Sequence, residues 1–265
     1  ACLTWGGAIN LAPADDKIIQ VEKPMAIDAE SQLIASIISK KLSVSSNNIL
    51  IDIPVGKGAK IEHITAARKL KKNFETLAKK LKINLKAIIT DGSRPIGKGI
   101  GPALEARDVL RVLLNDKKQP VDLRKKSVMM AGLGLEMSGK VKKGEGRTIA
   151  EDMLASGLAY KKMLEIIKAQ GGKRIDPSEI LLGKHTFDFK SPKTGTIKEI
   201  HNKRISNIAR VAGAPEDKDA GVYLHRNVGD KVKKGEVIMT IHTQSKFRLD
   251  YAKRTLEIGD GIVVR

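Results

Sequence analysis

The run Asn48-Ile49-Leu50-Ile51-Asp52-Ile53-Pro54-Val55-Gly56-Lys57-Gly58-Ala59-Lys60 decides how this chain is read. Its first six residues make a short apolar run that stops at Pro-Val-Gly, the pattern of a buried strand ending in a loop. Downstream, Ile64, Ala67, Leu70, Phe74, Leu77 and Leu81 recur at helical spacing, so a helix is expected over 62–82. Leu85-Lys86-Ala87-Ile88-Ile89-Thr90 reads as a second strand, followed by a loop from Asp91 to Pro102 and a helix from Ala103 to Leu114. Strand, helix, strand, loop and helix in that order imply parallel strands in an α/β layer.

Working outward, Leu33, Ile34, Ile37 and Ile38 mark a helix over 29–42, with Asp28 placed to cap its start. Further helical patterns cover 121–138 and 148–170, the second stopped by Gly171-Gly172. After Ser178 the texture changes to short β-type runs separated by Gly, Pro, Asp and Asn. Thr194-Gly195-Thr196-Ile197 and the run from Val228 to Ile238 resemble the two halves of a barrel-sandwich domain of the biotinyl or lipoyl kind. Between them stands Ala212-Gly213-Ala214-Pro215 with no Met-Lys-Met or Asp-Lys-Ala signature, so a structural use of that scaffold is expected, not a carrier lysine. The expected fold class is therefore α/β. A remnant of a helical lobe and hinge occupies 1–45, a parallel-sheet α/β domain 46–175, and a C-terminal α+β barrel-sandwich-like domain 176–265.

Composition bounds the function. With 265 residues the chain can bury a substantial core in one large or two modest domains. No apolar run approaches the roughly 20 residues that span a bilayer, and no basic-then-apolar leader is visible, so a cytoplasmic protein with no membrane partner is expected. One cysteine, Cys2, admits no internal disulfide and no cysteine-based zinc cluster. The net charge of +19 suits either a polyanion or small anionic substrates. Only 3% of residues are aromatic, which leaves few platforms for stacking nucleic-acid bases, and lysines such as Lys69, Lys71, Lys72, Lys79 and Lys80 lie along solvated helix faces. A Lys-rich, Cys-poor composition is also common in proteins that work at high temperature.

Two glycine-rich loops follow the two strands. Gly56-Lys57-Gly58-Ala59-Lys60 lacks the spacing of a Walker A loop, yet at a strand end its backbone N–H groups and a lysine can approach an anion. Gly97-Lys98-Gly99-Ile100-Gly101 has the wrong spacing for a dinucleotide fingerprint and is expected to turn or to line a cleft. Gly132-Leu133-Gly134 with Gly139 reads as a site of close helix packing or a helix end. Asp15 and Asp16, after Pro13-Ala14, read as turn formers. Asp28 before a helix is either an N-cap or an acid, and no Ser-His-Asp or Cys-His set can be assembled for nucleophilic catalysis.

Taken together, the run 6–16 (Gly-Gly-Ala-Ile-Asn-Leu-Ala-Pro-Ala-Asp-Asp), Ala35-Ser36-Ile37-Ile38-Ser39-Lys40-Lys41, Val55-Gly56-Lys57-Gly58-Ala59, the segment from Ile89 to Glu105, and Ala169-Gln170-Gly171-Gly172 resemble the thymidine/pyrimidine-nucleoside phosphorylase family. The likeness runs through nearly the whole chain. Trp5-Gly6-Gly7, Ile27-Asp28-Ala29-Glu30 and Ile51-Asp52-Ile53-Pro54-Val55-Gly56 are closer to the archaeal AMP phosphorylase branch than to the pyrimidine enzymes, where Asp-Val-Lys precedes the corresponding glycine.

The resemblance implies a pentosyltransferase of nucleotide metabolism that splits AMP with inorganic phosphate into adenine and ribose 1,5-bisphosphate. It makes Asp28 the proton donor and Ser36 and Lys60 nucleotide contacts, and puts Lys40 where the pyrimidine enzymes hold the base. The arginine those enzymes set on the base would fall near Val21, which argues against thymidine. No metal or organic cofactor is implied; phosphate is a co-substrate. The implied partners are AMP, phosphate, further copies of the chain in a homo-oligomer, and a missing N-terminal part of the same protein carrying the phosphate loop. The 265 residues alone are then expected to be inactive. The competing expectations are a pyrimidine-nucleoside phosphorylase and a basic nucleic-acid-binding protein.

Overall fold

The computed structural model describes residue 3 and residues 12–22, 30–173, 176–259 and 261–265. Its first half is a layered α/β arrangement. Helices α1 (Pro13–Glu22) and α2 (Glu30–Leu42) precede strand β1 (Asn48–Val55), helix α3 (Ile64–Lys80) and strand β2 (Asn84–Asp91). The two strands pair in parallel from Asn48↔Asn84 to Val55↔Asp91, as the order of elements requires.

The alternation in β1 explains its two faces. Ile49, Ile51 and Ile53 are buried against Ala67, Leu70 and Phe74, which the 3–4 spacing of α3 brings onto one stripe. The opposite face carries Asp52. Its carboxylate meets Lys126 at 2.5 Å and accepts from Thr90 at 2.7 Å, which settles a charge in an otherwise apolar strand. Ile34 and Ile38 of α2 belong to the same apolar cluster as β1 and α3.

After β2 come the short strand β3 (Gly99–Ile100) and helices α4 (Pro102–Leu113), α5 (Val121–Met137), α6 (Gly146–Ala155) and α7 (Leu158–Ala169). Lys126 lies on α5. The single helix expected over 148–170 is two helices. Gly157, at φ +78°, takes a left-handed conformation that breaks the ladder at Ser156-Gly157 and starts α7. Helices α5 and α6 cross where Gly132 lies against the backbone of Gly146 and Arg147, the close packing expected of that glycine.

The C-terminal part runs β4 (His185–Lys190), β5 (Gly195–Ile200), α8 (Asn202–Ala212), β6 (Gly221–Leu224), β7 (Lys231–Val232), β8 (Val237–Thr243), α9 (Lys246–Ile258) and β9 (Ile262–Val264). Two antiparallel sheets, ordered β3-β6-β8-β4 and β7-β5-β9, share a core with α8 and α9 in which Ile197, Ile205, Ile208, Met239 and Ile241 are fully buried. The fold is thus mixed α/β. Strand β3 pairs Gly99↔Tyr223 and Ile100↔Val222, so a piece of the expected 46–175 domain is an edge of the C-terminal sheet.

Candidate active site

Three groups of side chains carry the candidate chemistry: one on α2, one on the loop after β1 and one around the loop after β2. The first is built on α2, where Gln32, Ser36 and Lys40 are spaced by four and form one polar stripe beside the buried Ile34 and Ile38. That stripe converges on Asp15, whose residue exposure is 8%. Ser36 Oγ donates to Asp15 Oδ2 at 2.8 Å, Lys40 Nζ meets the same oxygen at 2.8 Å, and Gln32 Nε2 donates to Oδ1 at 3.5 Å.

Asp15 and Asp16 are accordingly not turn formers. They occupy the first turn of α1, where the helix dipole favours negative charge, and the second of them reaches Lys40 at 3.7 Å. Burial works against charge on Asp15, but the hydrogen bonds from Lys40 and Ser36 outweigh it and hold the pKa below the ordinary carboxylate value. The Asp15 hydrogen bond raises Lys40 in turn, against its own desolvation. The pair is therefore ionised around neutrality. Asp15 stands 21 positions from Ser36 and 25 from Lys40, and no local pattern connects them.

The second group is the loop after β1. Gly56 N donates to Ile61 O at 3.2 Å and Ala59 N to Gly56 O at 3.0 Å, closing a tight turn. Gly58 N donates to Glu62 Oε1 at 3.1 Å. These three amides already have acceptors, so the loop in this form is not the cradle of backbone donors that its glycines suggest. Lys57 is turned toward Glu199, 2.8 Å away. Lys60 stands exposed at the end of the turn. Gly56 also allows a close approach, since a Cβ there would lie 2.6 Å from Ser93 N in the loop after β2.

The third group surrounds the loop after β2. Lys98 N and Gly99 N both donate at 2.7 Å to Asp108 Oδ2, Gly97 N donates to Asp122 at 3.2 Å, and Gly101 N to Glu105 at 3.0 Å. Carboxylates of α4 and α5 thus fill the positions an anion would need. Beside this loop a cleft of about 490 Å³ opens between the end of β2 and α5, lined by Arg94, Lys125, Lys126 and Arg147 together with Asp91 and Asp122. The only sequence signal for this cleft is the adjacent Lys125-Lys126 pair.

Of the residues singled out from sequence, Ser36 and Lys40 are brought onto one carboxylate, while Lys60 stands on the glycine loop. The two groups are joined through apolar packing, because Ile37 of α2 and Ile61 at the loop's end both lie against the cluster under β1. Asp28 lies outside the described residues, as does Trp5-Gly6-Gly7.

This mixed α/β chain has clear relatives. Residues 196–259 match the pyrimidine nucleoside phosphorylase C-terminal domain. Over 257 residues, 97% of the chain and 51% of the relative, it is 47% identical to the AMP phosphorylase of Methanocaldococcus jannaschii. It is 49% identical to that of Pyrococcus horikoshii over 95% of the chain and 50% of the relative. A putative thymidine phosphorylase of Albidiferax ferrireducens is 45% identical over 98% of the chain and 50% of the relative. The chain is similar to these phosphorylases along nearly its whole length, and it spans about half the length of these relatives.

Proposed function

We propose that this chain supplies the nucleotide-binding part of a phosphorylase that cleaves AMP with inorganic phosphate, giving adenine and ribose 1,5-bisphosphate. The observation that supports it is the packing of α2, which carries Ser36, and of Ile61, next to Lys60, against one apolar cluster, in a chain 47–49% identical to AMP phosphorylases. Breaking the glycosidic C–N bond leaves negative charge on the departing base. A protonated carboxyl aimed at a purine nitrogen lowers that barrier, typically by about 10²–10⁴-fold. On the family resemblance Asp28 is this donor, and burial would keep it protonated. Ser36 and Lys60 hold the nucleotide, Lys60 by its charge opposite the 5′-phosphate. Asp15, which takes both Lys40 and Ser36 on one oxygen, orders Ser36 and ties α2 to α1.

The reaction needs phosphate as co-substrate and no organic cofactor or metal. The phosphate loop, on this reading, belongs to the part of the relatives' length that these residues do not span. Subunits assemble as a homo-oligomer in the cytoplasm; among the described residues no helix is long and apolar enough to cross a membrane.

The test is chromatographic. The complete gene product carrying this sequence is expected to release adenine from AMP only when phosphate is present, and ³¹P NMR to show a sugar bisphosphate. Release of thymine from thymidine without reaction of AMP would overturn the reading in favour of a pyrimidine enzyme. Lys60→Ala is expected to lower kcat/KM for AMP by about tenfold to a hundredfold, the loss of one charge-assisted contact. The isolated 265 residues are expected to show no turnover, and full activity from them would refute a site shared with another part of the protein.

A further inference from the structure

The glycine loop after β1 is held from outside by the C-terminal domain. Three consecutive features at the junction of β5 and α8 reach it or its neighbour. Glu199, near the end of β5, takes Lys57 at 2.8 Å and also lies 3.3 Å from His201. Asn202, the first residue of α8, donates from Nδ2 to Gly92 O at 2.7 Å. Lys203 meets Glu62 Oε1 at 3.3 Å, the same carboxylate oxygen that accepts from Gly58 N. Gly92 N in turn donates to Val55 O at 2.8 Å, and Ser93 is wedged against Gly56.

These contacts form a closed circuit. A tether on Lys57, a tether on Glu62 and a tether on Gly92 fix the turn 56–61 on three sides. Each is individually weak, since exposed ion pairs contribute little and Lys57 and Lys203 are 67% and 73% exposed. Their common effect is geometric. Lys60 lies between Gly58, whose amide is pinned, and Ile61, whose carbonyl is bonded and whose side chain is packed. The backbone that carries Lys60 is therefore set by residues of a domain more than a hundred positions away, and charge assistance sharpens that setting: the Gly58 amide and Lys203 hold Glu62 below the ordinary carboxylate pKa, and the Lys57 hydrogen bond does the same for Glu199.

We propose that Glu199, Asn202 and Lys203 are positioning residues, through which the C-terminal domain sets the loop that presents Lys60 to the 5′-phosphate of the nucleotide. The proposal rests on the phosphorylase reading for its ligand, but its mechanical half does not. Productive alignment of a charged contact tolerates little misplacement, so loosening the loop raises the substrate requirement before it affects the chemical step.

The test uses the complete gene product with Lys203→Met, Lys203→Arg and Asn202→Ala/Lys203→Met variants. Amide exchange at Gly58 is expected to speed up about fivefold in the double variant, and the KM for AMP to rise about fivefold to tenfold. The kcat, the KM for inorganic phosphate and the unfolding midpoint are expected to stay within twofold or a degree of wild type, and Lys203→Arg to restore the KM for AMP. A general loss of structure would instead move all of these together. Unchanged Gly58 exchange overturns the proposal whatever the substrate is, and faster exchange with an unchanged KM for AMP overturns it as well. Lys203→Met alone removes an exposed side chain and leaves folding intact, so the exchange arm is always readable. Failure of wild type to split AMP refutes the phosphorylase reading and shows at once as such.

Discussion

The chain contains two Gly-Lys-Gly loops, Gly56-Lys57-Gly58 after β1 and Gly97-Lys98-Gly99 after β2, at the ends of two strands of one parallel pair. By composition they are the same device. In the second, one oxygen of Asp108, a residue 1% exposed, takes the amides of Lys98 and Gly99, and the chain runs straight on into a strand that pairs with β6. In the first, the Gly58 amide is taken by Glu62, whose side chain is 43% exposed and shared with Lys203. A buried acceptor makes a glycine loop a joint; an exposed one leaves it adjustable. The difference lies in the acidic residue each loop finds downstream, not in the glycines.

The largest effect is expected from removing the buried acceptor. Asp108→Ala leaves the buried Gly99 N–H and the part-buried Lys98 N–H without their acceptor, at about 1–3 kcal/mol for a buried group, and is expected to cost about 3 kcal/mol in urea unfolding. Asp108→Asn keeps one carbonyl acceptor and is expected to cost less. Glu62→Gln is expected to leave the unfolding midpoint where it was, because water replaces the lost contact. Equal destabilisation by the changes at Asp108 and Glu62 would break the distinction between joint and adjustable loop.

Much of this was visible in the sequence, for reasons that differ by element. The β1 and β2 runs and the α3 stripe were legible because burial on one or both faces imposes a period on neighbouring residues. Gly157 was passed over since a helical pattern continues on both sides of it, and only its positive φ reveals the break. Asp15 was misread for a different reason. Its role depends on Ser36 and Lys40 returning to it from another helix, and Pro13-Ala14-Asp15-Asp16 has the same composition at a turn as at a helix start. Strand β3 is two residues long and pairs with residues more than a hundred positions later, which no period can announce. The candidate site residues divide the same way: the family resemblance proposes Ser36, Lys40 and Lys60, while Asp15, the partner of the first two, comes to them only through the fold.

The smallest expected effects separate the loops by solvent. Glu62 has its pKa lowered below the ordinary value of 4.5 in the fold, by the Gly58 amide first and Lys203 second. A carboxylate so shifted contributes to holding its partners at any pH above that ordinary value, and the contribution is lost as pH falls through the lowered one. The protection factor of the Gly58 amide is therefore expected to stay level from neutrality down to about pH 4.5 and to decline below it. Salt should act in the same place. At about 1 M ionic strength the screening length is near 3 Å, comparable with the Lys203–Glu62 separation of 3.3 Å. Gly58 protection is then expected to drop about twofold, while the amides of Lys98 and Gly99, bonded to a carboxylate that salt does not reach, keep theirs. If salt loosened both loops alike, Asp108 would be in contact with solvent and the loop after β2 would be as adjustable as the loop after β1.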